Sequence, residues 1–217
     1  MSAVARYMLV EHLGSRRWVA PFLFLASGVI VLYAQPPNPV LSTAGTAAAW
    51  MFPAQAWWAF AFLNTQEPGE RQTLVATVGA RRFAAGRLLG LLALLAIAMV
   101  FTAAFPILTG RFERPAHLDE IVLILCANWL CGAAGSGLAA LVCEPIVRTR
   151  AVPVLFLTGA VVLSIPLDVS PAIETAAAMN RTDASAVPGQ LAPETLGIAL
   201  FLALALPLGA RLWRLRE

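Results

Sequence analysis

The sequence predicts an all-α integral membrane protein with six transmembrane helices, and three observations carry that prediction. Apolar residues make up 59% of the 217 positions and charged ones only 12%, with a mean hydropathy of +0.77. An ordinary soluble domain carries about 25% charged residues, and a chain of this length has too little interior to hide so much apolar surface from water. Apolar runs recur along the chain at about the length a spanning helix needs, roughly 20 residues. The basic residues between those runs alternate in density, as they do in multispan proteins. Composition together with chain length argues strongly against a soluble enzyme and points to an integral membrane protein. The absence of lysine excludes more, because all 15 basic side chains are arginine. A Walker A phosphate loop needs a lysine, as does a Schiff-base nucleophile, so neither chemistry resides in this chain.

In chain order, residues 2–17 read as an amphipathic helix in the membrane interface. Val4, Tyr7, Met8 and Leu13 recur at helical spacing, and Arg6, Glu11, His12, Ser15 and Arg16 supply polarity. Such a segment places its arginines toward anionic lipid. The first span covers about 18–34. Ser15-Arg16-Arg17 has the outline of a twin-arginine signal, but cleavage after Ala34 would set Leu32 where a small residue is required. The run is therefore read as a retained helix. Further spans cover about 44–63, 88–108, 121–143, 152–167 and 196–213. The third, Leu88–Leu108, is the clearest, being free of charge throughout. Residues 64–87 form a loop, and 168–193 form a second, in which Ser170-Pro171 caps a short helix over Ala172–Met179. The whole chain, 1–217, reads as a single transmembrane domain.

Orientation follows from the arginines. With the N-terminus in the cytoplasm, the inner segments hold Arg6, Arg16, Arg17, Arg71, Arg81, Arg82, Arg87, Arg148, Arg150, Arg211, Arg214 and Arg216. The outer loops hold only Arg111, Arg114 and Arg181. That bias supports an even number of spans and places both termini in the cytoplasm.

The loop 64–87 is the most informative stretch. Pro68-Gly69 breaks the chain leaving the membrane, and a new helix is expected from Glu70 to Arg82. Glu70 then sits at its positive end and Arg81 and Arg82 at its negative end, which suits the helix dipole. Leu74, Val75 and Val78 form an apolar stripe. The expected product is a short cytoplasmic helix, charged at both ends and sticky along one face. The pattern Glu70-Arg71…Leu74…Gly79-Ala80-Arg81-Arg82…Arg87 resembles the cytoplasmic loop after the second span in permease subunits of ABC exporters of the ABC-2 type. The interfacial helix, the six spans and the inward termini resemble that family in layout.

The resemblance implies that the short helix couples to a separate ABC ATPase subunit, present in two copies. On this chain the coupling residues would be Glu67, Glu70, Arg71, Leu74, Val78, Arg81 and Arg82. The second cytoplasmic loop would add Glu144, Arg148 and Arg150. A second permease copy or a sister permease would complete the pathway. ATP and Mg would bind the partner ATPase, with no cofactor in this chain and no enzymatic activity of its own. The setting would be the plasma (inner) membrane. Apolar walls point to a hydrophobic or amphiphilic cargo such as a drug, a lipid or a modified peptide. A haem-exporter-like permease is the same-class alternative, and a non-transporting membrane scaffold or regulatory subunit is the different-class one.

Other chemistry finds little footing. Cys126, Cys131 and Cys143 match no zinc, haem or thioredoxin spacing and read as buried, inert thiols. No metal site and no nucleic-acid surface are expected. Ser136 between glycines lacks the base an intramembrane protease needs, whereas Gly132, Ser136 and Ala140 at four-residue spacing favour close helix contact. No span carries a clear interior acid or arginine, which argues against ion-coupled transport. Gln55, Trp58 and Asn128 are the residues within spans that could face a substrate path. For Gln55 and Asn128 a hydrogen bond between helices is the favoured role.

Overall fold

The computed structural model describes residues 2–34, 37–143 and 171–180. The described residues are helical, with a single isolated bridge between Asn38 and Phe112 as their only β pairing. The helices are α1 (Ser2–Gly14), α2 (Val19–Leu32), α3 (Val40–Leu63), α4 (Pro68–Val78), α5 (Ala80–Leu108), α6 (Leu118–Val142) and α7 (Pro171–Met179). The expected fifth and sixth spans, the second cytoplasmic loop and the C-terminus lie outside the described residues.

Length and composition decide which helices can cross a membrane. At 1.5 Å per residue, α5 is about 44 Å long and α6 about 38 Å, against a hydrocarbon core of about 30 Å. Both are long and apolar enough to span. Helices α1 and α2 pass only together, as a pair bent by 79°. Two, or counting that pair three, membrane-crossing elements make this a membrane protein. Helix α3 has 24 residues and no charge, but Gln55, its tryptophans and Pro53 interrupt its apolar run, and it is not among the described helices apolar enough to span.

The sharp turn between α1 and α2 has a local cause. Arg16 adopts φ 57, a left-handed conformation that ends a right-handed helix. The Ser15 hydroxyl donates to the His12 carbonyl at 2.7 Å, which satisfies a terminal acceptor of α1. The two helices therefore meet nearly at a right angle, and α1 packs beside the first turns of α5, with Val4 against Gly86.

Consecutive long helices alternate in direction. At one end, Arg17 donates to the Asn64 carbonyl at 2.6 Å, Arg87 to the Leu63 carbonyl at 3.5 Å, and the Asn64 amide to Cys143 Sγ at 3.1 Å. At the other end, the Tyr33 ring meets Phe112 edge-on at 5.7 Å. There Asn38 also takes part in three backbone or amide bonds to Arg111 and Glu113. Arg114 grips Glu120 with two bonds of 2.9 and 2.6 Å, while Glu120 accepts the His117 N–H and so caps α6. A capping carboxylate in the first turn suits the helix dipole.

The core of the bundle is the α3–α6 pair. Gly132, Gly135, Ser136 and Ala139 are buried in it. A side-chain carbon at Gly135 would collide with the Phe52 carbonyl oxygen and come within 2.9 Å of the Ala56 nitrogen. The backbones thus meet directly, as small residues permit. Of the expected spacing set, Gly132 and Ser136 lie in this contact and Ala140 is only half-buried. Helix α7 packs on the first turns of α3, with Met179 and Ala176 against Gly45 and with Thr175 and Met179 fully buried. The short helix expected over Ala172–Met179 is thus present and docked against the bundle rather than standing free.

The thiol expectation needs correction at one position. Cys131 and Cys143 are buried, but Cys126 is exposed on the outward side of α6. The error arose because span membership says nothing about which way a side chain faces.

Candidate functional site

The stretch between α3 and α5 is built by three backbone devices. Glu67 is extended at ψ 153 and precedes Pro68 in the first turn of α4, where a proline's fixed φ and missing N–H cost nothing. Glu70 lies in that first turn, near the positive end of the dipole. The helix ends at Gly79, whose φ 84 and ψ 146 lie in a region open without strain only to glycine. Helix α5 begins immediately after it.

This geometry corrects the expected single helix from Glu70 to Arg82. The helix spans Pro68–Val78, and Gly79 separates it from Arg81 and Arg82, which occupy the first turn of α5. There the dipole does not favour cations, so these two arginines are not the C-terminal charges of α4. Both are exposed.

The apolar stripe is also used differently from the expectation. Leu74, Val75 and Val78 are partly buried and pack onto the chain's own core. They dock the helix instead of offering a sticky face. Arg71 lies with its guanidinium 5.8 Å from the centre of the buried Phe83 ring, and Arg87 lies at the same distance from that ring. Such contacts contribute about 0.5–1 kcal/mol or more as water is excluded. The exposed surface of the region includes the side chains of Glu67, Gln72, Thr73, Ala76, Thr77, Ala80, Arg81 and Arg82, beside Gly69 and Gly79. It is polar, bears both signs of charge and is held on a firmly docked helix.

A second set of contacts went unforeseen in the sequence. Helix α1 and the segment 64–70 run past each other and are joined by polar rungs. The Tyr7 hydroxyl donates to Glu70 at 2.8 Å. The Gln66 amide donates to Glu11 at 3.2 Å. His12 Nδ1 meets the Thr65 hydroxyl at 2.9 Å, and Arg17 donates to the Asn64 carbonyl. The pairs 7–70, 11–66 and 12–65 share a constant sum, which is the signal that an antiparallel register leaves in a sequence.

The electrostatics of these rungs follow from their burial. The Thr65 hydroxyl gives its proton to the Ala61 carbonyl at 3.0 Å, so it can only accept from His12, whose Nδ1 carries the hydrogen. His12 is fully buried and touches the Phe62 ring edge-on at 5.4 Å. Burial, and then the nearby Arg17 charge, lower its pKa to about 4, so the ring is neutral near pH 7. Glu11 is pushed above the ordinary carboxylate value, first by burial and then by the neighbouring Glu70, against the opposing hydrogen bond from Gln66. The Tyr7 hydroxyl is raised chiefly by its bond to Glu70.

The residues considered for a substrate path are all buried in helix packing. The Gln55 amide donates to the Ser136 hydroxyl at 3.3 Å across the α3–α6 contact, as its favoured role requires. Asn128 donates to the Ile124 carbonyl of its own helix at 2.8 Å, so it makes no bond between helices. Its physical reason is position: it sits one turn from a carbonyl it can reach. Trp58 is buried with its ring 5.8 Å from Phe22. A cavity of about 350 Å³ lies at the opposite end from α4, lined by Pro106, Ile107, Phe112, Arg114 and Ile121 among others. None of Gln55, Trp58 and Asn128 lines it.

Among the described residues no cluster of histidine, cysteine or acidic side chains could hold a metal ion. Glu144, Arg148 and Arg150 lie outside the described residues. Comparison of the chain with protein-family models, with curated proteins and with solved structures finds no match.

Proposed function

We propose that this chain is the transmembrane permease subunit of an ATP-driven ABC exporter in the plasma (inner) membrane, carrying a hydrophobic or amphiphilic cargo. In this reading six helices form half of the pathway, both termini are cytoplasmic, and a second permease copy or a sister chain supplies the other half. The observation that carries the reading is α4. A short helix between two long ones is fastened by its apolar stripe and turns a mixed-charge polar face outward. That is the form a rigid contact for a nucleotide-driven partner requires. Motion of the partner would be transmitted directly into α3 and α5, because α4 joins them with only short breaks on either side. The lack of lysine agrees with ATP chemistry on another chain, and the lack of acidic or basic groups within the long apolar runs agrees with an energy source other than an ion gradient.

The contact is expected to centre on Glu67, Arg81 and Arg82 and the polar face between them. Glu70 and Arg71 would act indirectly, since one is engaged by Tyr7 and the other lies against Phe83. The test is co-purification of the chain with a P-loop ATPase encoded beside it, followed by ATP turnover and cargo export in vesicles. The variant Arg81→Glu with Arg82→Glu should remain folded, lose the ATPase on purification and abolish ATP-coupled export. Retained assembly together with unchanged export would overturn the assignment.

A further inference from the structure

Helix α1 has two working faces. Ala5, Met8 and His12 point into the bundle, and Val4 packs against Gly86 of α5. The opposite face is exposed and carries Tyr7, Val10 and Leu13, with Arg6 on the same stripe and Arg16 just beyond the helix end. Large apolar side chains flanked by exposed arginines, on a helix turned 79° from the one that follows, match a surface that is apolar below and anionic above. Polar rungs run from Tyr7 on the exposed stripe, Glu11 at the boundary and His12 on the buried face to Glu70, Gln66 and Thr65.

We infer that the outward stripe of α1 docks on the anionic lipid of the inner leaflet and that the rungs pass this attachment to residues 64–78, so that membrane charge sets how firmly the α4 region is held. The apolar residues enter the headgroup boundary while Arg6 and Arg16 meet lipid phosphates. Seating α1 presents Tyr7, Glu11 and His12 in the geometry that residues 64–70 need. Where the lipid is neutral, α1 lifts more readily and the rungs open with it. Tyr7 takes part in both contacts, its ring on the stripe and its hydroxyl on Glu70, which makes it the joint between them. The consequence for transport rests on the exporter reading, but the lipid response is a property of this chain alone.

The test is amide hydrogen exchange of the full chain in nanodiscs of phosphatidylcholine, with or without one quarter phosphatidylglycerol. Phosphatidylglycerol should slow exchange over 64–78 by up to about thirtyfold, the factor to which the attraction of two arginines to an anionic surface corresponds. Arg6→Gln with Arg16→Gln should abolish the lipid response while helix content stays constant. Tyr7→Phe with Thr65→Ala and Gln66→Ala, which removes all three rungs, should keep the response within α1 and lose it over 64–78. Equal exchange of 64–78 in the two lipids would overturn the inference. So would a response that survives the paired arginine variant, or one that reaches 64–78 after the rungs are cut. No ATPase is needed, so failure here is separate from failure of the assembly test.

Discussion

Single side chains set the tolerances of this bundle. The Trp50 indole lies directly on Gly28 and donates to the Phe24 carbonyl at 3.2 Å. A methyl group at position 28 would overlap the ring. Gly28→Ala should therefore lower stability by about 1–3 kcal/mol, the usual cost of overpacking, measured as a fall in thermal midpoint in detergent. His12 gives a pH dependence whose sign is determined. Its pKa is about 4 when folded against an ordinary 6.5, so the stability it contributes is full above about 6.5 and falls as pH drops toward 4. Glu11 acts in the opposite sense: its raised pKa favours the folded state at low pH, an advantage lost as pH rises through that value. Wild type should lose thermal stability between about pH 7 and about pH 5, and His12→Gln should lose distinctly less. Equal losses would mean that the imidazole is not held neutral.

At the scale of elements, the break between α4 and α5 matters more than either helix. Gly79 holds φ 84, and a Cβ there meets no neighbour within 4 Å, so substitution is opposed by backbone strain alone. Gly79→Ala should cost about 1–3 kcal/mol or let the chain relax into one continuous helix across 78–80. Faster amide exchange at 75–79 would report the first outcome and slower exchange the second. Unchanged exchange would show that the turn is not under constraint. The sequence made an apolar stripe at Leu74, Val75 and Val78 legible, because helical periodicity is local. It left open which surface that stripe would meet. Periodicity reports that a face is apolar and is silent on whether the chain itself or a partner covers it.

At the scale of the whole molecule, consecutive long helices among the described residues alternate in direction, so the two ends of α5 should face opposite sides of the membrane. Arg81 and Arg82 lie at the start of α5, and Arg111 and Arg114 lie just past its end, about 40 Å away along a 29-residue helix. A cysteine at Arg82 and one at Arg114, each with Cys126 replaced, should be labelled by an impermeant maleimide from opposite sides of sealed vesicles. Labelling of both from one side would contradict a membrane-crossing α5. The α3–α6 contact has its own test at this scale. Gly135→Val would force the two backbones apart, and loss of the folded species should follow, seen as aggregation on size-exclusion chromatography in detergent.

The sequence by itself determined the membrane class, the absence of lysine chemistry, the cores of the four long helices within the described residues, and the small-residue seam at Gly132 and Ser136. Those features depend on composition and on spacing along one helix, which are readable without neighbours. The tertiary structure decided the division of 68–82 at Gly79, the inward docking of the α4 stripe, the exposure of Cys126 and the burial of His12. It also decided the rungs between α1 and residues 64–70. The rungs and the burial of His12 depend on surfaces that meet across more than fifty residues of chain, as with Tyr7 and Glu70, while the others depend on how a face or a turn sits against its neighbours. A local pattern cannot encode that choice, because the same apolar or polar side chain is equally at home against lipid, a partner or its own fold.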